Sequence, residues 1–404
     1  MRMTTGVLLF FVLIACAPQA AVVEAIDAGT LAQQTIIVDG HIDLPFALHK
    51  EWYDVRELSE KGDFDYQRAK AGGLSTPFMS IYTPARLDGT PQATEHADAM
   101  IDIVERLVAS APDKFRIVRT VDEVEQAFAD GVIGLPLGME NGSPIQKDLA
   151  LLERFYQRGI RYITLAHSKS NAISDSSYDD NKQWQGLSPF GKTVVQRMNE
   201  LGIMVDISHL SDDAAWDVLE LSKVPVIASH SSARHFTPGS ERNMGDEMIA
   251  ALGEKQGVIM INFGTFFLTE VGNKYSEARE AAYAEYLLAN KLSDTGEVKD
   301  SFRAEYGKSA PYPFATLDAV LDHIDHVVKL AGIHAVGLGS DYDGVGDSLP
   351  IGLKDASTYP NLVKGLQQRG YSADDIAKIL SGNVLRVWRA VEAHAASNLS
   401  LIHI

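Results

Sequence analysis

His41 and Asp43 stand two residues apart at the end of an apolar run, in Val38-Asp39-Gly40-His41-Ile42-Asp43. Alternate residues of an extended chain share a face, so both side chains can reach one cation. Taken alone, such a pair reads better as a turn or a salt bridge. Three later apolar segments end in the same manner, with Glu140 in Gly138-Met139-Glu140-Asn141-Gly142, His209 in Val205-Asp206-Ile207-Ser208-His209 and His230 in Ala228-Ser229-His230-Ser231-Ser232. That recurrence makes His41, Asp43, Glu140, His209 and His230 candidate ligands of one metal centre. Three imidazoles and two carboxylates, with no cysteine among them, suit zinc or a similar borderline ion, and they exceed what a single four-coordinate ion needs. Two ions are therefore expected. Glu140 could give one oxygen to each, holding them about 3.5 to 4 Å apart with a shared hydroxide as nucleophile. Such ligands must be deprotonated, so activity should fall in acid and chelation should abolish it. His323 and His326, three apart on an amphipathic segment, read instead as a solvated face or as structural contacts.

Donors scattered over this much chain need a scaffold that returns strand ends to one place. Apolar runs recur at 35–38, 78–82, 132–137, 162–165, 203–207, 226–228, 258–263 and 335–338. Between them, at 94–109, 149–158, 193–201, 212–221, 246–252 and 316–330, apolar residues return every three or four positions, which is helical spacing. Near-continuous hydrophobic strands alternating with helices imply a parallel sheet buried on both faces. Eight repeats favour closure into a (β/α)8 TIM-type barrel, with the metal site at the C-terminal ends of the strands. An open doubly wound sheet is the alternative. The span 30–395 reads as a single domain. One connection within it, 266–313, is long, charged and tyrosine-rich, and suggests an inserted helix pair that could serve equally as a lid, a dimer surface or a solvated excursion.

The 404 residues are 46% hydrophobic and 22% charged, enough for a large core. A net charge of -18 argues against a nucleic-acid partner, which needs a basic stripe, and an anionic substrate would need a local cationic anchor. Residues 1–20 look like a leader: Met1-Arg2-Met3-Thr4-Thr5 precedes an apolar stretch at 6–14 that is too short to span a bilayer. The only cysteine, Cys16, follows Leu13-Ile14-Ala15 as in the lipobox of bacterial lipoproteins. Ala17 is not the aspartate of inner-membrane retention. The expectation is export to the bacterial periplasm and lipid anchoring to the outer membrane through Cys16, with a plain signal cut among the alanines as the alternative. One cysteine permits no intramolecular disulfide. A tail at 396–404 follows the domain, and its last residues, 399–404, show no organising pattern.

Taken together, the motifs Val38-Asp39-Gly40-His41-Ile42-Asp43-Leu44-Pro45, Gly138-Met139-Glu140-Asn141, Leu187-Ser188-Pro189-Phe190-Gly191, Val205-Asp206-Ile207-Ser208-His209, Ser229-His230-Ser231-Ser232, Arg242-Asn243 and Gly339-Ser340-Asp341-Tyr342-Asp343-Gly344 resemble the membrane dipeptidase (renal dipeptidase) family of zinc peptidases, over residues 36–391. The resemblance implies that His41 and Asp43 hold one zinc, His209 and His230 the other, with Glu140 between them. It further implies that His167 stabilises the oxyanion of the tetrahedral intermediate, that Arg242 binds the substrate's terminal carboxylate and that Asp341 shuttles a proton to the leaving amine. On its own, His167 reads equally as a core histidine, and Asp341 as a cap. The implied substrate is a dipeptide with a free C-terminal carboxylate, and a D-residue there or a β-lactam would be tolerated. Homodimer formation is left open. The stretch Ser168-Lys169-Ser170-Asn171-Ala172-Ile173-Ser174-Asp175 departs from the animal enzymes, so side-chain preference does not transfer. Arg234 is a second candidate for the carboxylate clamp.

Three rivals compete. Gly186-Leu187-Ser188-Pro189-Phe190-Gly191-Lys192-Thr193 fits the P-loop pattern, but the polar 179–185 before it is unlike the strand a P-loop must leave. Other binuclear barrel amidohydrolases, acting on lactones, cyclic amides or β-lactams, commonly open with His-x-His and not His-x-Asp. A metal-binding lipoprotein without turnover would have no need to keep His167, Arg242 and Asp341.

Overall fold

The computed structural model describes residues 26–402, with side chains to residue 398; the leader and Cys16 lie outside the described residues. Eight strands close into a parallel barrel: β1 (Val38–Ile42), β2 (Thr76–Tyr82), β3 (Leu137–Glu140), β4 (Ile160–Thr164), β5 (Met204–Asp206), β6 (Ile227–Ser231), β7 (Val258–Ile261) and β8 (Val336–Leu338), with β8 pairing back onto β1. This is the (β/α)8 arrangement that the alternating runs predict.

Alternate residues of the strands sort into two apolar clusters, which is the signature of a sheet buried on both faces. Val38, Phe78, Tyr162, Met204, Ile227 and Val258 form one with Trp388 and Val391 of the C-terminal helix (Asn383–Ile402). Met79, Ile163, Val205, Ala228 and Ile259 belong to the other, against the surrounding helices. Following the inner face along each strand, Phe78 gives way to Ser80, Tyr162 to Thr164 and Met204 to Asp206, all buried. The barrel is thus sealed with hydrocarbon at its N-terminal end and turns polar at the other. Side chains that reach the C-terminal rim emerge into a polar cup.

Three departures from the sequence reading have local causes. The run 132–137 is not one strand: Ile133–Leu135 leaves the barrel to pair with Phe115–Ile117, and the barrel strand resumes at Leu137. Pro136, which has no N–H to give a ladder, sits at the break and offers only its carbonyl, to the amide of Met79 at 2.8 Å. The first strand begins where the apolar run ends, at Val38, and carries the polar Asp39 and His41 inside it. Asp43 therefore sits one residue past β1, as the N-cap of the helix Leu44–Lys50. At the other terminus, the stretch expected to lack organisation continues the last helix to Ile402.

The long connection after β7 holds two helices, Glu270–Asn290 and Gly296–Ser309. Aromatic contacts join them, including Tyr283 to Phe302 and Tyr275 to Tyr306 at 5.2 and 5.7 Å between centroids. Among the described residues, no helix is long and apolar enough to cross a membrane.

Candidate metal centre

All five donors meet in the polar cup. The two oxygens of Glu140, at the end of β3, face different partners. Oε2 lies 3.5 Å from His41 Nε2, which is also 3.5 Å from Asp43 Oδ2; Oε1 lies 3.1 Å from His209 Nε2 and 3.2 Å from His230 Nε2. His209 reaches the cup from a left-handed backbone position just after β5, with φ 67°. His167 Nε2 is 3.5 Å from the same Oε1, and Asp341, also left-handed at φ 63°, joins His41 and Asp43 on the opposite side.

Neighbouring groups set the tautomer of two imidazoles. The hydroxyl of Tyr162 donates to the carbonyl of Gly40 at 3.0 Å, so it must accept from Nδ1–H of His41, 2.8 Å away. Ser229 Oγ donates to Asp206 at 2.6 Å and accepts from His230 Nδ1–H at 2.7 Å. With Nδ1 holding a proton, each ring turns its Nε2 toward Glu140, and in the neutral form that nitrogen is free to bind a metal. None of these supporting residues was singled out in the sequence, because Tyr162 lies 121 positions from His41 and no spacing rule links them.

The donor set fits divalent metal. His41 Nε2 is a buried atom with no hydrogen-bond partner, and His209 Nε2 converges on His230 Nε2 at 2.8 Å, so three imidazole nitrogens crowd the carboxylate of Glu140. Burial and the Arg242 guanidinium push the His209 imidazole well down; burial and then His41 do the same to His230, so both imidazoles are neutral, the form in which a histidine can hold a metal. Burial opposes the charged form of Glu140, yet the surrounding histidines hold its carboxyl well below the usual range. Burial likewise opposes the cation of His41, but the charges facing it, Glu140 and Asp43 among them, pull it well upward. Buried carboxylates that draw a proton onto a neighbouring imidazole mark a place that wants positive charge.

Asp341 is raised to about 7, first by burial and then by Asp43, although Asn262 Nδ2 donates to its Oδ2 at 2.7 Å. A carboxyl so placed can carry a proton near neutrality. Burial lowers His167, so its imidazole is neutral as well. Arg242 is buried, donating to Ser231 Oγ and to the carbonyl of His230, each at 2.8 Å, with its guanidinium over Phe267. Arg234 is committed elsewhere: both terminal nitrogens hold Asp212, at 2.7 and 2.6 Å. The cup opens into a cavity of about 340 Å³, walled by Phe46, Tyr82, Tyr178, Phe266 and Phe267. That volume suits a small ligand.

Gly138 is required by this arrangement. A Cβ there would lie 2.0 Å from the Tyr162 ring, which orients His41. We expect Gly138→Ala to cost about 1 to 3 kcal/mol of stability, as overpacking does, and to lower bound metal; thermal unfolding and elemental analysis of one preparation check both.

The P-loop-like segment carries no phosphate site. The amides of Gln183, Trp184 and Gly186 all donate to the carboxylate of Asp175, and Ser188 spends its hydroxyl capping the helix Pro189–Leu201. His323, buried, accepts from the amide of Ala233 at 3.0 Å and donates to the carbonyl of Leu268, which makes it a structural contact.

The model of the membrane dipeptidase family, peptidase family M19, matches residues 26–400. An uncharacterized dipeptidase of Schizosaccharomyces pombe is 31% identical over 374 residues, covering 88% of this chain and 81% of the relative. The dipeptidase tcpJ of Claviceps purpurea is also 31% identical, over 90% of this chain and 79% of its own. Among solved structures, the probable dipeptidase PvdM of Pseudomonas aeruginosa superposes with a TM-score of 0.80 at 27% identity, covering 91% of this chain and 98% of that one. A metallopeptidase of Rhodobacter sphaeroides, liganded with a phosphinate mimic of the dipeptide L-Ala-D-Ala, gives 0.72 at 26% identity over 88% and 99%.

Proposed function

The chain belongs to the membrane dipeptidase family and is a zinc-dependent dipeptidase; from that premise we propose how its own residues divide the work. His41 and Asp43 would hold one zinc ion and His209 and His230 a second, with the carboxylate of Glu140 offered to both. The observation that carries this reading is that one oxygen of Glu140 faces His41 while the other faces His209 and His230, all of them buried. When bound, the pair supplies Lewis acidity and an activated water for amide hydrolysis.

The protein groups do the rest. Arg242 takes the substrate's terminal carboxylate, for which its planar fork is suited, and so sets the register of the scissile bond. His167, neutral and beside Glu140, presents an N–H to the oxygen of the carbonyl as it gains charge. Asp341 carries a proton to the departing amine. Phe266, Phe267 and Tyr178 limit water around the amide. The substrate is a dipeptide with a free C-terminus. A D-residue at that end is admitted, as the L-Ala-D-Ala mimic in the Rhodobacter sphaeroides relative supports. The test is a panel of L,L- and L,D-dipeptides assayed with zinc content on the same sample; zinc without turnover on any member would overturn the assignment.

Asp341→Asn keeps the contact with Asn262 but cannot shuttle a proton. The expected result is a drop in kcat of about 10² to 10⁴ with zinc content unchanged, read by steady-state kinetics and elemental analysis.

Residues 30–395 form the single catalytic domain, with 266–313 an insertion. The leader directs export, and Cys16 is acylated to tether the enzyme to the periplasmic face of the outer membrane. Metabolic labelling with palmitate, lost in Cys16→Ala, checks the anchor.

A further inference from the structure

We propose that the protein carries another divalent-cation site outside the barrel, formed by His235, Asp246 and His326. Each offers one ligand atom, and the three atoms lie within 4.8 Å of one another. His326 Nε2 already stands 2.8 Å from Asp246 Oδ1, and the ring of His235 stacks on that of His326 at 4.4 Å and 20°. His235 is exposed and its ring nitrogens make no hydrogen bond among the described residues, so it can turn by the small amount that brings a third donor onto an ion. Two imidazoles and a carboxylate form the donor set of zinc and its borderline neighbours, with a position left for water.

The placement gives such an ion a purpose. His235 lies in the short turn Arg234–Phe236 directly after β6, Asp246 opens the helix Asp246–Glu254, and His326 belongs to the helix Leu317–Ala331. The first two bracket the loop that contains Arg242, and the third belongs to the outer helical layer. An ion held by all three closes that loop and ties it to the scaffold, so it positions Arg242 without touching substrate. A plain ion pair between His326 and Asp246 would leave the ring nitrogens of His235 unused.

The test counts zinc on the purified holoenzyme after equilibrium dialysis against rising Zn²⁺ alone. Wild type should bind about one ion per chain more than His235→Ala and than His326→Ala, and Zn²⁺ should raise the Tm of wild type by more than that of either variant, which keep only the ions of the cup. His235 is exposed, so its variant tests the site even where loss of the His326 ion pair disturbs folding. Glu140→Gln should keep this ion while losing those of the cup, which separates failure of this site from failure of the barrel assignment. Equal zinc in wild type and His235→Ala, or loss of all zinc in Glu140→Gln, would overturn the proposal.

Discussion

Glu140→Gln is expected to lose the zinc of the cup and turnover together. Its carboxylate faces His41 through one oxygen and His209 and His230 through the other, and it is ionised in spite of burial because imidazoles surround it. An amide of the same shape supplies neither the charge nor a second equivalent oxygen. Lewis acidity and an activated water together represent several kcal/mol of transition-state stabilisation, and each 1.36 kcal/mol is tenfold in rate, so kcat/KM should fall by about 10³ or more. Elemental analysis and kinetics on one sample test this, with circular dichroism to confirm the fold. Full activity with unchanged zinc would refute the bridging role.

Arg242→Ala should separate substrates by their C-terminus. Removing a buried charge partner costs about 2 to 5 kcal/mol, which is roughly 30-fold to several thousandfold in kcat/KM on free dipeptides. The same side chain also donates to Ser231 and to the carbonyl of His230, so part of any loss reflects the wall of the cup. C-terminally amidated dipeptides supply the control, because they offer no carboxylate to hold. The measurement is the ratio of the two losses. Equal losses would show that Arg242 supports the cup but does not clamp the substrate.

Much of this site was legible in the chain because metal ligands and barrel strands follow local rules. All six amphipathic stretches lie where helices form, and six of the eight apolar runs fall on barrel strands, while 35–38 and 132–137 only touch theirs. The misplaced strand ends share a physical origin: near the rim, strand residues become polar, so hydrophobicity stops marking the strand. Thus β1 and β6 extend through His41 and through Ser229-His230-Ser231, beyond where apolar character would end them. The side sheet at Phe115–Ile117 is too short to carry a period, and Pro136 divided what looked continuous. Tyr162, Ser229, Asp206 and Asn262 act through contacts with residues distant in sequence or through the fold's closure, which no motif encodes. His167 needed the neighbourhood of Glu140 to distinguish it from a core histidine.

The seam between the first and last strands bears on when the enzyme can become active. Asp39 accepts the amides of both His41 and Ser340 through one oxygen, joining segments 301 residues apart, and the amide of Asp341 then reaches the carbonyl of His41. The earliest ligands to be synthesised therefore wait for nearly the last strand before their cup has a wall. Contacts of such long range form late in folding. Zinc uptake should accordingly be a maturation step that follows completion of the polypeptide, and the ion's supply in the compartment where folding finishes would set how much enzyme becomes competent.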